Sequence, residues 1–179
     1  MSPGATWRAL LVSAIAAIAG GEAASAAGND ACDALPAQEA AALMGAPLES
    51  NFRNESQPDS VNGHDHTTVC GWFPKGYNLS TADKPPERGV QLTLHTFRSQ
   101  AEAKQFHMMT KNGPPGAKLK PVPGVGDDAV MEEKTFHGTN VATVRFVKGM
   151  HSAQVQTWRK DKSGVEAATA AAKQAAAKL

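Results

Sequence analysis

The most pointed chemical feature of the sequence is His64-Asp65-His66. Residues two apart on a strand project from one face, so two imidazoles there could hold a transition metal. A third ligand must come from elsewhere; His95, His107, His137 and His151 are the remaining histidines, and nothing in their spacing selects one. The neighbouring carboxylates Asp127-Asp128 and Glu132-Glu133 point to opposite faces of an extended backbone, so neither pair can share a proton as acid–base catalysis requires. No Gly-x-Ser-x-Gly elbow exposes a nucleophilic serine. Trp72, Phe97, Phe136 and Trp158 can line a small-molecule or peptide groove if their strand faces align, and otherwise belong to the core. The sequence therefore carries no catalytic signature and requires no cofactor.

Cys32 and Cys70 are the two cysteines, too few for a four-cysteine zinc site and the right number for one bridge. The compartment bears on that choice. A single basic residue, Arg8, precedes eleven mostly apolar residues from Ala9 to Ala19, then glycines and small side chains, the layout of a secretory leader. Eleven residues span roughly 16 Å as a helix, about half a bilayer core, so no stable membrane span remains once the leader is cut. Ala24-Ser25-Ala26 and Ser25-Ala26-Ala27 are two equivalent cleavage frames. Asn29-Asp30-Ala31 before Cys32 makes no lipid-attachment box, which leaves Cys32 free to pair with Cys70 in an oxidising compartment.

Eighteen Lys and Arg against seventeen Asp and Glu leave a net charge of +1, which creates no field for nucleic acid or an anionic membrane. At 179 residues, 41 % of them apolar, the chain suffices for one domain.

The elements that must position these residues follow from periodicity. A helix is predicted over Pro36 to Met44, with Gly45 and Pro47 stopping it. Residues 49 to 62 are polar without a period and predict a surface loop closed by Asn62-Gly63. His64 to Phe73 alternates as a strand with His64, His66, Thr68, Cys70 and Trp72 on one face. Residues 75 to 89, with Pro85-Pro86, predict a second exposed loop, and Val90 to Phe97 a second strand. Ser99 and Glu102 have capping-box spacing for a helix burying Ala103, Phe106 and Met109 or Thr110. Three strands, Ala129 to Phe136, Thr139 to Val147 and Met150 to Trp158, are joined by two-residue connections containing glycine and predict a meander. Gly164 to Leu179 is alanine-dominated and predicts a helix, either docked or a detached tail.

A cysteine before a short helix, the Gly45-Ala46-Pro47 exit, Cys70-Gly71-Trp72 in an aromatic-flanked strand, and Pro121 to Ala129 (PVPGVGDDA) resemble a family of small exported bacterial envelope proteins. Relatives of that family resemble extracellular sensor domains. The resemblance implies architecture and brings no catalytic residues with it. The chain departs from the pattern in having no lipid-attachment cysteine after the leader and no Thr before Pro36.

The expected molecule is thus a cleaved leader over 1–27, an α+β domain over 28–163 and an alanine-rich helix over 164–179. The domain is expected to hold an antiparallel sheet of about five strands, with helices packed against one face. The expected function is that of a non-enzymatic binding or sensor-like module, periplasmic or secreted. It would present loops 49–62 and 75–89 to an envelope protein or a small ligand and bind no nucleic acid. The alternative is a periplasmic metal-binding protein using His64 and His66.

Overall fold

A computed structural model describes residues 30–56, 64–79, 81–113, 115–161 and 163–179. The leader, its cleavage frames and the Asn62-Gly63 turn lie outside these residues. The chain opens with a one-turn helix α1 (Ala31–Ala34) and a two-turn helix α2 (Ala37–Met44). Strands β1 (Glu49–Ser56), β2 (His64–Phe73) and β3 (Arg88–Phe97) follow, then α3 (Gln100–Thr110) and the two-residue β4 (Lys120–Pro121). Strands β5 (Asp128–Phe136), β6 (Thr139–Lys148) and β7 (His151–Arg159) form the meander, and α4 (Val165–Lys178) ends the chain. The strands make one open antiparallel sheet in the order β1-β2-β3-β7-β6-β5-β4.

The α+β class and the meander agree with the sequence, while the sheet has seven strands where about five are expected. Residues 49–56, expected in a loop, form the edge strand β1 on β2, with Arg53 opposite Cys70. An edge strand borrows its backbone partners from its neighbour and needs no apolar alternation, so polar ESNFRNES gives no strand signal.

The helices also divide between the faces. On one face α1, α2 and α4 cover Leu92, Leu94, Val144, Phe146 and Val155 in the main core. The opposite face receives α3, where Ala103 and Phe106 meet Phe97 and Val147, strand positions of the other parity. Ala103 and Phe106 thus pack as expected, but the last buried position of α3 is His107, whereas Met109 is 65 % exposed and Thr110 is exposed too. Ser99 caps this helix as its spacing implies, accepting from the Glu102 amide at 3.2 Å.

Two devices tie the helices down. Cys32 and Cys70 form a disulfide with Cα atoms 5.2 Å apart, and the Ala31 amide donates to Thr68 Oγ1 at 2.8 Å, so α1 is fastened to β2 twice. Helix α4 lies on β6 and β7 through Ala167, Ala168, Ala171, Ala172, Ala175 and Ala176, all buried. Small side chains let the helix backbone approach the sheet closely. At its start Thr157 Oγ1 donates to the Gly164 carbonyl at 3.0 Å, and at its end Lys178 meets Glu39 of α2 at 2.7 Å.

Candidate functional site

The face opposite α4 carries two small apolar clusters with polar residues between them. Cross-strand register fixes this arrangement. Gln91 lies opposite Gln156, and Gln156 opposite Thr143; Thr93 lies opposite Gln154, and Gln154 opposite Arg145. One cluster is closed by α3. The other, made of Phe73, Val141 and Trp158, is closed by Tyr77 and Leu79 from the loop between β2 and β3. Beside this second cluster the surface opens into a cleft of about 460 Å³.

The cleft has one wall of loop, one of strand, and an aromatic floor. Pro74 ends β2 and the loop turns at once, with the Tyr77 amide donating to the Pro74 carbonyl at 3.0 Å. The Tyr77 hydroxyl donates to the Lys84 carbonyl at 3.0 Å, and the Ala82 amide donates to the Asn78 carbonyl at 3.0 Å. Burial pushes the Tyr77 phenol pKa up, which keeps that donor protonated. At the far end the Lys160 amide donates to the Glu87 carbonyl and Lys160 Nζ pairs with the Glu87 carboxylate, each at 2.8 Å. Pro85-Pro86 stiffens the segment between these ties. The wall is therefore held in place by its own hydrogen bonds.

Beneath the floor, the buried Phe73 stacks at a tilt on Tyr77 and Trp158, with centroids 5.3 and 5.5 Å apart. Gly89 makes room for that ring, since a Cβ there would stand 2.8 Å from Phe73 Cε1. The strand wall is the end of β5, where Lys134 and Phe136 line the opening. Phe136 is 53 % exposed and precedes the His137-Gly138 turn, in which both residues take positive φ, 47° and 74°. Such a pair matches the twist of a two-residue hairpin.

The other end of this face is electrostatically busier. His107, 1 % exposed, stands 3.3 Å through Nε2 from Asp128 Oδ2, an oxygen that also accepts from Lys111 Nζ at 2.9 Å. Burial lowers the His107 pKa; Asp128 opposes the shift and Lys111 adds to it. The Lys111 hydrogen bond holds Asp128 below the usual carboxylate range. Arg145 donates through both terminal nitrogens to Glu132 Oε2 at 3.2 Å, while Glu133 on the other side of β5 accepts from Ser163 at 2.6 Å. The two glutamates thus face opposite ways, whereas Asp127 and Asp128 both meet α3, against expectation, because Asp127 precedes the strand: Asp127 accepts from Gln100 at 3.2 Å and Asp128 lies 3.3 Å from His107.

Of the residues singled out by sequence, Phe136 and Trp158 come together at the cleft. Trp72 does not join them; it has the parity of Cys70 and is buried in the main core beneath the helices. Phe97 shares the cleft's face but sits at the far end under α3, with its ring 5.2 Å from that of Phe106. His66 Nε2 faces Glu55 Oε1 at 3.5 Å. The His64 side chain lies outside the described residues, and the ladder steps over Asp65, so strict alternation is interrupted between the two histidines. Among the described residues no group of three or more His, Cys, Asp and Glu side chains is arranged to hold a metal ion. Tyr77, Leu79 and Lys134 were not singled out by sequence; two large apolar residues inside an otherwise polar, proline-rich loop are the signal that marks them.

No family model matches the chain, and no match is found among curated proteins. Among solved structures, the extracellular domain of PknH from Mycobacterium tuberculosis is similar, with a TM-score of 0.60 and 14 % identity over 80 % of this chain and 91 % of that one. The likeness is one of fold. Among the described residues no helix is long and apolar enough to cross a membrane.

Proposed function

We propose that this chain is an exported, non-enzymatic binding module whose ligand site is the cleft between residues 77–86 and the end of β5. The observation that carries the reading is the cleft itself: about 460 Å³ over Trp158 and Val141, within the size range of small-molecule sites, behind a wall that is already hydrogen-bonded into shape. The Cys32–Cys70 bridge supports export to a periplasmic or secreted location, as does the fold shared with an extracellular domain. Support for binding without turnover comes from the ionisable groups of this face. Glu132, Asp128 and Glu87 are each held in an ion pair away from the cleft floor, and Asp83 lines the cleft with no second carboxylate and no histidine among the described lining residues.

A thermal-shift screen of small molecules on the disulfide-bonded protein tests this. Ala82 is an exposed loop residue lining the cleft, so Ala82→Trp fills the space without touching the core. Compounds that raise the melting temperature of the wild type and not of Ala82→Trp are expected. Equal stabilisation of both proteins, or consumption of the compound, would contradict the reading.

A further inference from the structure

The chemistry lining the cleft goes further than its existence. Its floor and one rim are apolar: Trp158, Tyr77, Leu79 and Phe136. Phe136 is the one aromatic ring among the exposed large hydrophobic side chains of the described residues; the others, Met108, Met109 and Met150, lie off the cleft. The Tyr77 hydroxyl is engaged by the Lys84 carbonyl within the wall, so Tyr77 offers the cleft a ring rather than a donor.

The charges at the rim are Lys84 and Lys134 against Asp83, a net charge of +1 from groups on opposite walls. Neither lysine ammonium has a carboxylate partner among the described residues, in contrast to Lys111, Lys160 and Lys178, which are paired at 2.7 to 2.9 Å. Lys84 stands on the loop wall and Lys134 on β5, so both walls of the cleft carry a lysine. Gln156 adds one amide to the lining.

We infer that the cleft takes a small amphipathic monoanion, with its apolar body against Trp158, Tyr77 and Phe136 and its acidic head between Lys84 and Lys134. This assignment rests on the cleft being the ligand site. An ammonium-bearing ligand meets a rim of its own sign. A neutral apolar ligand gains nothing from the two lysines, and a dianion is opposed by Asp83.

Titration calorimetry with decanoate, decyl phosphate, 1-decanol and decyltrimethylammonium, all below their micellar concentrations, separates the possibilities. Decanoate is expected to bind the wild type, more weakly as salt rises. It should bind Lys84→Ala/Lys134→Ala about tenfold more weakly, with Lys84→Arg/Lys134→Arg recovering most of the loss. Decyl phosphate, which carries close to two charges at pH 7.5, should bind more weakly than decanoate, and tighter binding of it overturns the monoanion assignment. Equal binding of 1-decanol and decanoate, preference for decyltrimethylammonium, or no decanoate binding overturns it. If a compound of another class stabilises the wild type and not Ala82→Trp, the ligand assignment falls and the cleft reading stands. If decanoate binds Ala82→Trp as tightly as the wild type, both fall.

Discussion

Removing the Cys32–Cys70 bridge should weaken the protein without unfolding it. The cysteines are separated by 38 positions, and the bridge closes a loop containing α2 and β1. For a loop of that length the chain-entropy relation, −2.1 − 1.5R ln n, comes to about −13 cal/mol/K, or about 4 kcal/mol at 25 °C. A domain of this size moves about 2 to 4 °C in melting temperature per kcal/mol, so the loss corresponds to about 8 to 16 °C. The remaining fastenings of α1 are not sulfur-dependent. Ala31, Ala34 and Leu35 stay buried, and the Ala31 amide keeps its bond to Thr68. Against a typical total of about 5 to 15 kcal/mol, the reduced protein is therefore expected to stay folded at room temperature. Urea unfolding followed by far-ultraviolet circular dichroism should be run on oxidised wild type, on wild type in a phosphine reductant, and on Cys32→Ala/Cys70→Ala. The last variant checks that the effect is the cross-link rather than the reductant. A stability difference under about 1 kcal/mol between oxidised and reduced protein would contradict this figure, because it would mean that the bridge does not restrict the unfolded chain as its loop length requires.

Three other perturbations have definite expected outcomes. Gly89→Ala places a methyl against the Phe73 ring and should cost about 1 to 3 kcal/mol, read as a lowered melting temperature with altered Trp158 fluorescence; an unchanged protein would show that the ring moves aside freely. Ala172→Asp puts an unpaired charge under α4, where Ala172 is fully buried, and should cost about 3 kcal/mol or more in chemical denaturation; a change within 0.5 kcal/mol would mean that the helix does not hold its place. Stability should also fall as pH drops below about 6.5. Burial lowers the pKa of both His107 and His151 in the folded state, so the unfolded chain takes up protons first. The slope is at most about 1.4 kcal/mol per pH unit for each histidine, and it persists until the folded values are reached. Urea midpoints at pH 7.5 and 5.5 should differ in that direction, with His107→Gln reducing the dependence; a flat profile would contradict it.

The parts of the fold legible in the sequence are those specified by local patterns. Ser99 with Glu102 marks the start of α3, His137-Gly138 marks the β5–β6 hairpin, and the alternation of Val90, Leu92 and Leu94 marks a core-facing strand. Residues 49–56 were opaque because an edge strand with one neighbour is specified by the backbone of β2 and not by its own side chains. Strand β4 is two residues long and contains Pro121, so it has no period to read. The side on which α3 docks was equally hidden, since it depends on the parity of Phe97 and Val147 relative to the rest of the sheet.

The cleft was half visible, and the missing half is a matter of topology. Phe136 and Trp158 are strand residues whose faces follow from hairpin register, with Lys134 in line with Trp158 through Val141 and Phe136 two residues further along β5. Tyr77 and Leu79 reach them only because β3 pairs with β7, bringing Gln91 opposite Gln156 across a sequence gap that no local pattern bridges. Trp72 shares the parity of Cys70, and the bridge from Cys70 to Cys32 marks theirs as the face that the helices cover.

The proposed ligand site is the cleft between the proline-rich loop and the end of β5. That assignment is tested most directly by titrating isotope-labelled, disulfide-bonded protein with decanoate and following backbone amide shifts. Saturable shifts are expected at Tyr77, Leu79, Ala82 to Lys84, Lys134, Phe136, Gln156 and Trp158. Shifts centred on α3 and the His107–Asp128 contact, or none at saturating ligand, would contradict it.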